Sequence, residues 1–327
     1  MADNHSRPDM TSFRKRLFIG IAFALTLLAG LLYGCLPGNA RKAPVDAAPL
    51  VSAENGFLLF AAGDIAQCGK RTAEESDAAR TAALIEARIR PGMRYAVLAL
   101  GDTSYPYGLP SEYANCYEPT WGRFKANTFP APGNHEYHIP SAYGYYNYFG
   151  DAAGPERRGY YSFDIDRWHI VSINSLLQSN ENARQLAWLD NDLKRHKSSC
   201  ILAFWHHPLF SSGGHGNNPR MQDTWRILQA AHADVVLNGH DHNYERFSPQ
   251  DANGNRDADN GIREFIVGTG GARLTPFVWG SDNTEVIDHS THGVLKMRLR
   301  DGGYDWEFLP VGEAGFSDSG TATCHPK

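Results

Sequence analysis

The chain has 327 residues, 31 basic against 36 acidic side chains, and 42% hydrophobic with 20% charged residues. That length is ample for a sizeable buried core, and the charge balance excludes both a disordered chain and a polybasic nucleic-acid binder. A single long uncharged apolar segment excludes a multi-span transporter.

Residues 1–16 are polar and close on Arg14, Lys15 and Arg16, and residues 17–34 then run without a charge up to Cys35. A positive flank, an apolar run and a small-residue exit read as an export signal. Three forms of it stay open. Leu32-Tyr33-Gly34-Cys35 resembles a lipobox, with Cys35 lipidated after cleavage; Gly38-Asn39-Ala40 offers an ordinary cleavage site; an uncleaved helix would anchor the chain. All three keep the basic cluster inside and send the rest out, to the periplasm or cell surface. Residues 1–40 are therefore read as signal or anchor, 41–55 as a linker, and 56–327 as one folded domain. Membrane contact is expected only through the N-terminal segment. Without residues 1–40 the net charge is −7, which gives no help in binding nucleic acid or an anionic bilayer. Four cysteines remain beyond Cys35, an even number suited to an oxidising compartment, and none forms a CxxC pair. Three pairings exist. The reading favours Cys68–Cys116 and Cys200–Cys324, because each tethers a loop near a candidate ligand or the C-terminal tail.

From Gly56 onward, short apolar runs stop abruptly at polar clusters. Residues 57–62 precede Gly63-Asp64, and 95–100 precede Gly101-Asp102. Residues 201–205 precede His206-His207-Pro208, and 235–237 precede Asn238-Gly239-His240-Asp241-His242. Helical patterns lie between them, around 73–90, 181–196 and 220–232. The stretch 159–175 alternates about Asp166-Arg167 like a hairpin, and 293–311 repeats the device about Gly302-Gly303. Fully apolar strands alternating with helices predict an α/β fold whose sheets are covered, with ligands beyond the strand carboxyl ends.

Five strand-end clusters carry ligand-type side chains: Asp64; Asp102 with Tyr105; Asn134-His135-Glu136; His206-His207; and His240 with His242. One aspartate after a strand is ordinarily a turn former or helix cap. Five such clusters are not. Imidazole, carboxylate, phenolate and amide oxygen suit Fe, Zn or Mn rather than a thiolate site or a calcium cage. More donors than one tetrahedral ion needs imply two ions sharing a carboxylate, the arrangement used for in-line attack on phosphorus.

Gly63-Asp64, Gly101-Asp102-Thr103-Ser104-Tyr105, Gly133-Asn134-His135-Glu136, His206-His207-Pro208 and Gly239-His240-Asp241-His242 resemble, in order, the five motifs of calcineurin-like metallophosphoesterases. Tyr105, three residues after Asp102, is similar to the purple acid phosphatase branch, as is Asn243-Tyr244-Glu245-Arg246. Ala66 departs from both patterns: most branches place a histidine there, and this one a glycine. The resemblance implies a four-layer α/β/β/α sandwich with two mixed β-sheets flanked by helices. It implies Asp64, Tyr105 and His242 on a first metal, Fe(III); Asp102 as the bridge; and Asn134, His206 and His240 on a second, Zn, Fe or Mn. It also makes His135 a substrate-facing histidine that meets the phosphoryl oxygen and protonates the leaving group, with His215 a second and Asn134 beside the substrate.

The function expected is an exported phosphatase that cleaves small-molecule phosphate monoesters by in-line attack of a metal-bound hydroxide. Alternatives are a phosphodiesterase, nucleotidase or pyrophosphatase using the same site, or a non-catalytic surface binding module. Nothing in the sequence sets an oligomeric state. Residues 251–259 space oxygens like a calcium loop but lack its sixth-position glycine and twelfth-position glutamate, so a solvated turn is expected. The aromatic run Tyr143, Tyr145, Tyr146, Tyr148 and Phe149 is expected to pack at the core and rim rather than to wall a pocket.

Overall fold

The computed structural model describes residues 56–312 and 316–326, so the expected signal, Cys35 and the linker 41–55 lie outside it. Thirteen strands among the described residues form two sheets. The first runs β13 (Ser319–Thr323), β12 (Gly303–Pro310), β11 (Gly293–Arg300), β1 (Phe57–Ala62), β2 (Tyr95–Leu100), β3 (Thr128–Ala131). The second runs β10 (Thr284–Asp288), β8 (Tyr244–Phe247), β9 (Arg263–Val267), β7 (Val235–Asn238), β6 (Cys200–Phe204), β5 (Trp168–Ser172), β4 (Tyr161–Ile165). Both are mixed. In the first, β1, β2 and β3 are parallel while β11 joins β1 antiparallel; in the second, β5, β6, β7 and β9 are parallel with antiparallel edges.

Strand periodicity sorts each buried run between two layers. Leu202 and Phe204 face inward, joining Val235, Leu237, Phe265 and Val267 against Phe60, Leu295 and Met297 of the first sheet. Ile201 and Ala203 face outward, joining Val171 and Val236 under Leu189 and Leu193 of the helix Ser179–Arg195 and Trp225 and Leu228 of the helix Gln222–Ala230. Each such side chain contributes about 1.5–3 kcal/mol on burial. Helix Asp77–Glu86, capped by the Ser76 hydroxyl accepting from the Ala79 amide at 3.2 Å, buries Ala78, Ala82 and Ile85 against the first sheet. The result is the four-layer α/β/β/α sandwich expected.

The two hairpins form where alternation placed them, as β4–β5 and β11–β12. Asp251 folds residues 251–255 into a local turn, its Oδ1 accepting from the Asn253 and Asn255 amides at 2.8 and 2.9 Å. The aromatic run becomes the helix Tyr143–Phe149, which packs Tyr145 and Phe149 into the core. Among the described residues no helix is long and apolar enough to cross a membrane.

Both expected disulfides form, Cys68–Cys116 and Cys200–Cys324. Two disulfides fit an oxidising compartment. The second spans 124 residues and fastens the tail to the start of β6. On loop entropy, the double change Cys200→Ser with Cys324→Ser should cost about 5 kcal/mol, read by denaturant unfolding without reductant.

Candidate metal centre

The five polar clusters follow the carboxyl ends of parallel neighbours: β1, β2 and β3 from one sheet, β6 and β7 from the other. Because the sheets are stacked, those ends meet. The loops then interlock at van der Waals limits. A Cβ on Gly133 would stand 2.1 Å from Asp102 Oδ1, and one on Gly101 would stand 2.6 Å from the His206 ring. Asp64, Asp102 and His240 take positive φ of 58°, 46° and 74°, an uncommon backbone for such residues that marks sites where geometry outweighs comfort.

Asp64 and Asp102 are wholly buried, at 0% and 1% exposure. The Tyr105 hydroxyl lies 2.9 Å from Asp64 Oδ1, 3.3 Å from Asp102 Oδ2 and 3.2 Å from His242 Nε2. His242 Nε2 also lies 3.2 Å from Asp64 Oδ1. On the other side of Asp102, His206 Nε2 lies 3.2 Å from Asp102 Oδ2, 3.1 Å from Asn134 Oδ1 and 3.3 Å from His240 Nδ1. All seven residues read as ligands therefore converge, with Asp102 touching both groups.

Backbone carbonyls fix the tautomers of two imidazoles. His206 Nδ1 donates to the Leu100 carbonyl at 2.9 Å and His242 Nδ1 to the Arg273 carbonyl at 2.7 Å, which leaves each Nε2 directed at the carboxylates. Nitrogen, carboxylate, phenol and amide donors at these separations fit borderline-to-hard cations. Tyr105 belongs to that fit. Burial, then the charges of Asp64 and Asp102, push its phenol well above the usual range, so ionising it requires a cation alongside.

The same charges act on the histidines. Burial disfavours the imidazolium forms of His206 and His242, but Asp102 and Asp64 respectively outweigh it and raise each to about 9. His240 is driven well down by burial and the His206 charge, and His207 down to about 3 by the same two causes. His207 Nδ1 pairs with Ser175 Oγ at 2.9 Å, and the residue also groups with His206 and His240 at ligand-like spacing.

His135 and His215 stand at the edge of the centre on opposite sides. His135 lies over Tyr105, with ring centroids 4.3 Å apart; its Nδ1 meets the Pro106 carbonyl at 2.6 Å and its Nε2 lies 3.8 Å from Asp102 Oδ2. His215 lies over His240, centroids 4.1 Å apart, and its Nδ1 meets Asp241 Oδ1 at 3.0 Å. That hydrogen bond raises the pKa of His215.

Two carboxylates near the ligands have positioning tasks that sequence reasoning did not assign. Glu136 accepts from the amides of Asp102, Thr103 and Gly133 at 2.9, 2.8 and 2.7 Å, so it clamps the loops after β2 and β3 together. Burial and the Asp102 charge push its carboxyl up to about 7 against those donors. Asp241, between two ligand histidines, turns away to accept from Ser211 Oγ and from the His215 amide, which holds the 211–216 loop. Glu245 supports that loop from behind, accepting from the Ser212 amide at 2.9 Å.

A family model described as calcineurin-like phosphoesterase matches residues 57–244. Among curated relatives from Arabidopsis thaliana, probable purple acid phosphatase 20 is 30% identical over 162 residues, covering 42% of this chain and 38% of that protein. Purple acid phosphatase 15 is 28% identical over 187 residues, covering 46% of this chain and 35% of that protein. The chain thus spans well under half the length of these relatives. Purple acid phosphatase PPD1 from yellow lupin superposes with a TM-score of 0.64 at 21% identity, over 85% of this chain and 56% of that one. The Plasmodium inner-membrane-complex anchor GAP50 superposes at 0.61 with 16% identity, over 84% and 90%.

Cation entry must displace the protons that Asp102 and Asp64 hold on His206 and His242. At about pH 8, below the folded pKa of both, metal uptake should release about two protons per chain, and a third where the Tyr105 phenol ionises. Titration calorimetry in two buffers of different ionisation enthalpy reads the number. Release of none would show that these imidazoles are not protonated before the metal enters.

Proposed function

The chain belongs to the calcineurin-like phosphoesterase family, and from that premise we propose an exported phosphatase that hydrolyses phosphate monoesters. Asp64, Tyr105 and His242 would hold one metal ion, Fe(III), and Asn134, His206 and His240 a second (Zn, Fe or Mn), with Asp102 between them. The observation that carries this reading is the convergence of the other five side chains around the buried Asp64–Asp102 pair, with two imidazole Nε2 atoms turned toward it. Bound there, two cations would supply Lewis acidity for the phosphoryl oxygens and a water acidic enough to attack phosphorus near neutral pH.

The protein's own groups do the rest. Asp102, held by the amide of His135 at 2.8 Å, keeps both halves of the centre in register. His135 spends Nδ1–H on the Pro106 carbonyl, so a proton carried on Nε2 is free to meet a phosphoryl oxygen or the departing alkoxide. His215, favoured in its protonated form by Asp241, can do the same from the opposite side. The tight packing of Gly101 against His206 and of Gly133 against Asp102 fixes those two side chains before substrate arrives, and so lowers the reorganisation demanded in the transition state.

Metal-replete protein should turn over an aryl phosphate monoester, and His135→Ala should lower kcat by about 100-fold or more with metal content unchanged. Turnover of a diester alone would move the substrate class, and no turnover of either would sink the enzymatic reading. A visible phenolate-to-Fe(III) charge-transfer band is expected, absent in Tyr105→Phe. An active, iron-loaded, colourless protein would remove Tyr105 from the ligand set.

A further inference from the structure

Residues 268–283 join β9 to β10 without helix or strand of their own. Connections of that length inside a compact domain are usually functional. This one is pinned along its course. The Gly270 amide donates to the Gly63 carbonyl at 3.0 Å, and the Ala272 amide to the Asp64 carbonyl at 2.8 Å. The Thr275 amide donates to the His242 carbonyl at 3.0 Å, while the Arg273 carbonyl holds the His242 ring. The amides of Val278 and Trp279 then both donate to the Ser212 carbonyl, at 3.0 Å each. The strap therefore ties two candidate ligands of one metal, Asp64 and His242, to the loop that carries His215.

Its outer end is apolar and open to water. Trp279 and Val278 are 61% and 58% exposed, more than any other large hydrophobic side chain among the described residues. Both border His215, whose two chain neighbours are glycines. Beyond adjacent residues, a Cβ on Gly216 would meet only the edge of the Trp279 indole, at 3.5 and 3.6 Å. A Cβ on Gly214 would meet only Val278, at 3.8 Å. The loop thus presents bare backbone on both sides of a half-exposed imidazole, and the strap supplies the apolar side chains bordering that open space. An indole fixed through its own main chain, yet left largely in water, has a flat face ready for a flat partner.

We propose that Trp279, with Val278 beside it, is a specificity-determining platform that stacks against a planar aromatic group on the leaving alcohol of the phosphate ester. The proposal rests on the monoesterase reading given above. In that reading His215 meets a phosphoryl oxygen or the departing alkoxide. Asp64 and Asp102 are buried behind it, so the carbon side of the leaving group extends outward, past His215 and toward the strap. Stacking on an exposed aromatic side chain is worth about 10-fold in affinity and tolerates any flat ring. An aryl ring on the ester oxygen and the base of a nucleotide share that chemistry. An aliphatic alcohol has no face to stack and gains little from the indole.

The test measures kcat/KM of the metal-replete chain for phenyl phosphate, adenosine monophosphate and glycerol phosphate, in wild type, Trp279→Ala and Trp279→Phe. The side chain is mostly exposed, so both variants should fold as the wild type does. The ratio of aromatic to aliphatic ester should fall about 10-fold in Trp279→Ala and be largely kept in Trp279→Phe. Comparing that ratio between proteins cancels the differing acidity of the leaving groups. It also cancels a general loss of activity, which is all that a merely structural role would produce. A fall with phenyl phosphate marks an aryl ester, a fall with adenosine monophosphate alone marks a nucleotide, and either supports the platform. An unchanged ratio in Trp279→Ala overturns it and leaves the hydrolase reading standing. No turnover of any ester by the wild type overturns the hydrolase reading, and the platform with it.

Discussion

Asp64 and Asp102 are buried together around one phenol, and the cost of that crowding shapes everything near it. Two carboxylates out of water repel each other strongly unless positive charge lies between or beside them. The chain answers with His206 and His242, each pinned by a backbone carbonyl so that its other nitrogen must face the acids. Positive φ at Asp64, Asp102 and His240 belongs to the same compromise. The loops are bent where the acids need them, and the sheets beneath, with their wholly buried strands, absorb the strain.

That arrangement explains why carboxylates one or two positions from the ligands do not themselves reach the centre. Glu136 spends its oxygens on backbone amides and so welds two loops into one body. Asp241 does likewise for the loop carrying His215. A third and fourth free acid in the same dry space would add repulsion without adding a useful ligand. Their conversion to braces makes the site precise rather than merely acidic.

Much of this was legible in the chain because four of the five ligand clusters follow an unbroken apolar run, and such runs, when parallel, deliver their ends to one edge. The hairpins were legible through strict alternation. Other parts were not. β3 contains Pro130, β10 is an edge strand alternating half-buried with exposed residues, and β13 reads Ser-Gly-Thr-Ala-Thr, so none carries an apolar signal. Glu136 and Asp241 look like ligands by residue type, and only the direction of the side chain separates a brace from a donor. The pairing of His169 with Asp192 crosses from a strand to a helix and leaves no local trace in the sequence.

β1 lies between β2 and β11, so its two hydrogen-bonded edges are filled by residues separated by most of the described chain. During synthesis, β1 can recruit β2 early but must wait for residues 293–300. The loss of chain freedom in closing so long an excursion grows only slowly with length, yet it falls due before the pairing returns anything. A nascent chain that has delivered Asp64, Asp102 and Asn134 therefore still has an open sheet edge. The candidate ligands that follow β1, β2 and β3 therefore rest on a sheet whose completion waits for the C-terminal hairpin.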